Sequence, residues 1–169
     1  LNNPVNDKYK INKHLLNVLN NNNENKKYFG DWIINIDELK EKYIGALPFE
    51  HIKIHNFLKE EYAEELFKNF PTDFENWHKY YNPLEVKYAN DNINTMDKSI
   101  KHLFYLLSTN NLIDVFSKIS GITDLEYDPY LHGAGLHAHP QNGRLNMHLD
   151  YEKHIILKNK QRRLNIILF

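Results

Sequence analysis

The sequence predicts an α+β fold in a single domain, and three observations carry that expectation. Apolar residues recur at helical spacing between Leu58 and Gly121, and from Leu125 onward the pattern changes to short alternating runs broken by glycine. The third is size: 169 residues with 41% hydrophobic content suffice to bury one good core, but hardly two. Helices followed by strands favour a sheet folded as a sandwich or barrel, with helices supporting one face.

In chain order, the asparagine tract from Asn17 to Lys27, NVLNNNNENKK, reads as a loop or disordered link, because it offers little apolar surface to bury. DWIINIDELKEKYI suggests a short apolar segment followed by a helical turn or two, and FEHIKIHNFL alternates through Ile52 and Ile54 like a strand. In LKEEYAEELFKNFP, Leu58, Tyr62, Leu66 and Phe70 fall at intervals of four, with Ala63 and Phe67 beside them, before Pro71 stops the helix. Asp97 can cap KSIKHLFYLL, and NLIDVFSKIS ends where Gly121 can turn left-handed. Phe104, Tyr105 and Phe116 belong in the core. LEYDPYLHGAGLHAH, GRLNMHLDY and RRLNIILF supply the strands.

Composition excludes several functions. The 21 Lys and Arg nearly cancel the 22 Asp and Glu, so there is no basic excess for a row of nucleic-acid phosphates, and no obligate nucleic-acid partner is expected. With no cysteine, only His, Asp and Glu remain as strong metal ligands. No apolar run approaches the roughly 20 residues that span a bilayer, and the polar N-terminus has no signal-peptide core. A cytoplasmic protein without a membrane partner is the expectation.

The stretch RLNMHLDYEKH places His148 and Asp150 two residues apart. On a strand, Leu145, Met147 and Leu149 would share one face while Asn146, His148 and Asp150 share the other. The two polar side chains would start about 7 Å apart and could converge on one ion. A solvated polar face fits the same pattern.

The surrounding sequence resembles the 2-oxoglutarate and Fe(II)-dependent dioxygenases, in particular their prolyl 4-hydroxylase-like branch. PFEHIKIHNFLKEEYAEELFKNFP is similar to the first strand and supporting helix of that family, DPYLHGAGLHAHPQNGRLNMHLDY to the segment with the HxD pair, and HIILKNKQRRLNIILF to the arginine-bearing strand after it. The resemblance implies a double-stranded β-helix of the jelly-roll type in residues 48–169, preceded by an N-terminal extension over residues 1–47. It implies Fe(II) as metal and 2-oxoglutarate as cosubstrate, with His148 and Asp150 as two ligands of a facial triad. Decarboxylation of the cosubstrate would be coupled to hydroxylation of an unactivated C–H bond. Tyr130, His137, Asn146 and Arg163 are the candidates to contact the cosubstrate. Three of them also have ordinary readings: packing for Tyr130, a hydrogen-bonded structural role for His137, and packing or structural pairing for one of Arg162 and Arg163. Gly133 and Gly135 would allow a bend or a close approach.

The family's third ligand, a histidine on a later strand, and a basic residue gripping the distal carboxylate of 2-oxoglutarate have no match in this chain. His154 is the only histidine after the pair and reads as a loop or supporting residue; of the adjacent Arg162 and Arg163, at most one can face a pocket. The chain begins at Leu1 and ends inside the apolar run LNIILF, so further strands are expected beyond Phe169. The substrate would be a prolyl or other protein side chain, or else a sugar or small metabolite, and self-association is compatible with the apolar last strand. The alternative is a catalytically silent domain of the same fold that acts as a binding or assembly module. His14, His51, His55, His78 and His102 have no partner at ligand spacing, and His132 and His139 fall in loops.

Overall fold

The structure, a computed structural model, describes residues 10–22 and 25–169. The chain forms helices and an antiparallel sheet, as an α+β fold requires, and divides into two compact units. One comprises residues 11–70 and 96–128 and is helical; the other comprises residues 71–95 and 129–169, with Lys10, and contains the sheet. Residues on both sides of the expected boundary at 47 share the helical unit.

The helical unit contains α1 (Lys13–Asn22), α2 (Asn25–Tyr28), α3 (Ile36–Ile44), α4 (Glu60–Lys68), α5 (Lys98–Leu107) and α6 (Asn110–Ser120). α1 and α4 pack on α5, and α3 packs on α6. The expected loop over the asparagine tract is corrected here: it is helical on both sides of residues 23 and 24, which lie outside the described residues. Asn12 accepts the His14 amide at 2.9 Å and so caps α1, while Leu16 is buried against the rest of the unit. Packing of this kind overrides the weak helix propensity of asparagine.

The other helices follow their sequence signals. Asp97 accepts the Ser99 amide at 2.8 Å at the start of α5, and α6 ends on Gly121 with φ +74. The cap of α6 is Thr109, which is buried, accepts from the Leu112 amide and donates to the Leu106 carbonyl. On α4, Tyr62 is buried and its hydroxyl donates to the Ser99 carbonyl at 2.8 Å, whereas Phe67 is exposed. DWIINIDELKEKYI is more helical than expected, a 3-10 turn over Asp31–Ile34 running into α3. FEHIKIHNFL forms no strand; only a single bridge joins Leu58 to Phe29, while Phe57 stacks on Trp32 at 4.9 Å.

The sheet unit is built on a hairpin that the sequence reading missed. β1 (His78–Tyr81) and β2 (Glu85–Asn90) are joined at Asn82-Pro83, where the Asn82 side chain accepts the Leu84 and Glu85 amides. The aromatic and β-branched run HKYY-NPL-EVKY was the available signal. β2 is central: it pairs antiparallel with β1 on one edge, and with β3 (Leu136–Ala138) and β4 (Arg144–Leu145) on the other. The sheet is open, with four strands. On one face Phe74 stacks on Tyr88 at 5.4 Å and meets Trp77 edge-on.

Two expectations for the C-terminal segment are corrected. Met147 and Leu149, placed by alternation on a packed face, are 99% and 98% exposed. β4 stops at Leu145, and after Asn146 no ladder holds the chain to period two. RRLNIILF is not a sheet-interior strand among the described residues: only one bridge, Lys153 to Gln161, lies nearby, and Ile167 is 69% exposed.

Candidate functional site

The site starts from the register of β2. Alternation puts Glu85, Lys87 and Ala89 on one face, with Tyr80 opposite Lys87 across β1 and His137 opposite Ala89 across β3. Lys87 Nζ lies 2.9 Å from Glu85 and 4.9 Å from the Tyr80 ring centroid, with only 12% of the lysine side chain exposed. Side-chain hydrogen bonding from Lys87 holds the Glu85 carboxyl below the usual range, with a smaller contribution from nearby His148. Burial and then Glu85 raise the Tyr80 hydroxyl. Dehydration of the His137 ring, followed by the Lys87 charge, lowers its pKa, although the residue as a whole stays open to solvent. The surface exposure indicates that dehydration is partial, so the lysine's charge matters.

From the end of β4 the chain reaches the HxD pair. The Asn146 amide donates to the Leu84 carbonyl at 2.8 Å and its side chain to the Pro83 carbonyl at 3.1 Å, which anchors the segment to the β1–β2 turn. His148 Nδ1 then bonds the Asn146 carbonyl at 2.8 Å. A carbonyl only accepts, so Nδ1 carries a proton and Nε2 is the nitrogen turned away from the Asn146 carbonyl. That nitrogen lies 3.5 Å from Asp150 Oδ1.

Asp150 is held through its other oxygen. Asn165 Nδ2 donates to Oδ2 at 2.6 Å, and Arg162 Nη1 lies 3.1 Å from the same atom. Partial burial alone would raise the Asp150 pKa, but the Asn165 amide and then the Arg162 charge hold it below the usual carboxylate range. Arg162 Nη2 also donates to the His132 carbonyl at 3.0 Å. A backbone hairpin presents this arginine: its amide donates to Glu152 O, and the His154 amide to Lys160 O.

The pair suits a divalent ion. Two ligands each about 2.1 Å from one ion are about 3.0–3.4 Å apart for right-angled to tetrahedral arrangements, close to the observed separation. One imidazole nitrogen and one carboxylate oxygen converge, and each group is oriented by a partner on its far side. Among the described residues no third His, Asp or Glu joins them at ligand distance.

Of the other candidates, Asn146 alone has a hydrogen bond to the pair among the described residues. The Tyr130 ring sits under Lys10 Nζ at 4.8 Å and is tilted against His154 at 6.1 Å. His137 is on β3, and Asn146 acts through its carbonyl on His148. Arg163 is exposed, and the guanidinium engaged with the pair belongs to Arg162. His154 supports its own loop, where Nδ1 accepts the Ile156 and Leu157 amides. Glu85, Lys87 and Asn165 were not found by sequence reasoning, which left Arg162 and Arg163 as alternatives and favoured Arg163; only the register and the hairpin bring these residues here. Among the described residues no helix is long and apolar enough to cross a membrane. No family model, curated protein or solved structure matches the chain.

Proposed function

We propose that the protein is an Fe(II)- and 2-oxoglutarate-dependent dioxygenase of double-stranded β-helix type that hydroxylates an unactivated C–H bond, with a protein side chain such as prolyl as first substrate. The observation that supports this most is the convergence of His148 Nε2 and Asp150 Oδ1, 3.5 Å apart, with the far side of each group already hydrogen-bonded. His148 would bind the metal through Nε2 while Asn146 keeps the proton on Nδ1, and Asp150 would bind through Oδ1 while Asn165 and Arg162 occupy Oδ2. Neutral imidazole and ionised carboxylate are the forms in which these two side chains bind a divalent ion. When bound, metal and cosubstrate would supply the oxidising power with dioxygen as the oxidant: one oxygen atom would enter the C–H bond and the other the succinate formed as 2-oxoglutarate lost carbon dioxide. Among the residues proposed for the cosubstrate, His137 shares its sheet face with Lys87, the half-buried cation of that face.

The Arg162 ion pair supports a second reading, a silent binding module in which Asp150 is a structural carboxylate. Titration with Mn(II), observed by electron paramagnetic resonance, separates the two. The dioxygenase reading expects saturable binding in the wild type and its loss in His148→Ala. It also expects Mn(II) and N-oxalylglycine, an unreactive 2-oxoglutarate mimic, to raise the melting temperature together more than singly, since a ligand at a hundredfold excess over its Kd stabilises by about 2.7 kcal/mol. Equal Mn(II) binding in wild type and His148→Ala would overturn it.

A further inference from the structure

We infer that Arg162 is a positioning residue for the metal pair, and that Gly133 is glycine so that Arg162 can reach Asp150. The inference rests on the proposed metal pair, and it concerns two residues that the resemblance leaves without a role.

The geometry is a clamp. Arg162 presents two nitrogens of its planar fork to two different acceptors: Nη1 to Asp150 Oδ2 at 3.1 Å and Nη2 to the His132 carbonyl at 3.0 Å. The His132 carbonyl immediately precedes Gly133, whose φ is +71. A Cβ built on Gly133 would collide with Arg162 Nη2 and come within 3.5 Å of Cζ. The absence of a side chain at 133 is therefore what lets the guanidinium lie across the turn. Its backbone is held independently, with the Arg162 amide donating to the Glu152 carbonyl at 3.0 Å, so the side chain is delivered from a fixed base. Because Arg162 and Asn165 both take Oδ2, the carboxylate is rotated to offer Oδ1 toward His148. Without the clamp Asp150, whose side chain is 43% exposed, would sample other rotamers and the pair would have to be ordered by the metal itself.

Lysine could pair with Asp150 but cannot bond both acceptors in one plane, so Arg162→Lys should recover only part of the function of Arg162. Gly133→Asn is the more informative variant, because asparagine tolerates a positive φ and so adds a Cβ with little backbone strain. Gly121→Asn is its control: φ there is +74 and nothing lies within 4 Å of a built Cβ.

The experiment has two readouts. In metal-free protein, the Arg162 side-chain N–H signals in NMR should be protected from exchange in the wild type and in Gly121→Asn, and lose that protection in Gly133→Asn. In Mn(II) titrations, Arg162→Ala and Gly133→Asn should each weaken binding by about 10- to 100-fold, the usual effect of losing a group that orients a ligand. The double variant should be no weaker than the worse single one, since both remove the same contact. Retained protection in Gly133→Asn, or single losses that add in the double variant, would overturn the clamp. Wild-type Mn(II) affinity in both variants, with binding lost in His148→Ala, would overturn the positioning role while leaving the metal pair intact. Binding unchanged even in His148→Ala would remove the metal pair and the positioning role with it, and the NMR readout alone would then decide whether the clamp exists.

Discussion

Leu112 in α6 and Leu149 beside Asp150 are the same residue type in similarly apolar-patterned stretches, yet the first is 0% exposed and the second 98%. The helical unit covers its apolar stripes. Ile100, Leu106, Leu112 and Ile119 are all below 5% exposure, and two of its buried polar groups, Thr109 and the Tyr62 hydroxyl, have hydrogen-bond partners. In the sheet unit, Trp77, Ile93 and Leu131 are buried, but the segment after β4 presents Met147, Leu149 and Ile167 to solvent. A helix satisfies its own backbone and needs a neighbour only along one stripe, whereas a strand-like segment needs a paired edge before its alternation has meaning. Where pairing stops at Leu145, polar contacts rather than burial order the chain, and those contacts gather around Asp150.

The contrast predicts a gradient of mutational effects, largest in the helical core. Leu112→Ala should destabilise by about 2–5 kcal/mol through lost burial and the cavity left behind, measured by urea unfolding followed by circular dichroism. Leu149→Ser should stay within about 0.5 kcal/mol in the same assay. A comparable loss at both positions would mean that something covers Leu149 in solution and would erase the distinction between the units.

Tyr62→Phe should cost about 1–2 kcal/mol, because a buried hydrogen bond to the Ser99 carbonyl is lost. Burial, and then the charge of Glu65, raise the Tyr62 hydroxyl above its ordinary value. Unfolded tyrosine therefore loses its proton first as pH rises. The stability from Tyr62 is complete below about pH 10 and declines above it. The phenylalanine variant should lack that alkaline decline in denaturation curves collected between pH 8 and 11.

Effects smaller than those in the helical core are expected at helix caps and at low pH. Thr109→Ala should cost about 1 kcal/mol by removing the α6 cap, again read from urea midpoints. Asp97 behaves oppositely to Tyr62: hydrogen bonds from Ser99 lower its pKa, so its contribution is present above the ordinary carboxylate range near 4 and is lost as pH falls below it. An Asp97→Ala protein should show a flatter stability profile between pH 4 and 2 than the wild type.

Much of the helical unit was legible in the sequence because its signals are local. Asp97 before an apolar run, Gly121 after one, and Tyr62 on a stripe of fours each specify backbone geometry within one or two turns. The asparagine tract misled because its helicity depends on packing against α5, a partner some eighty residues away in the chain. The β1–β2 hairpin carried a turn signal at Asn82-Pro83 but no clean apolar alternation, since β2 is half-buried on both faces.

By itself the sequence determined α4, α5 and α6, the caps at Asp97 and Gly121 and the place of the HxD motif, because spacing along the chain and residue chemistry decide those. Tertiary structure decided how the pair is oriented. His148 and Asp150 meet not through strand periodicity but because the Asn146 carbonyl turns one ring and Arg162 with Asn165 hold one carboxylate. Likewise, no local rule distinguishes Arg162 from Arg163. The choice depends on which guanidinium finds two acceptors and an open glycine across the turn, and one of those acceptors and the glycine lie about thirty residues earlier in the chain.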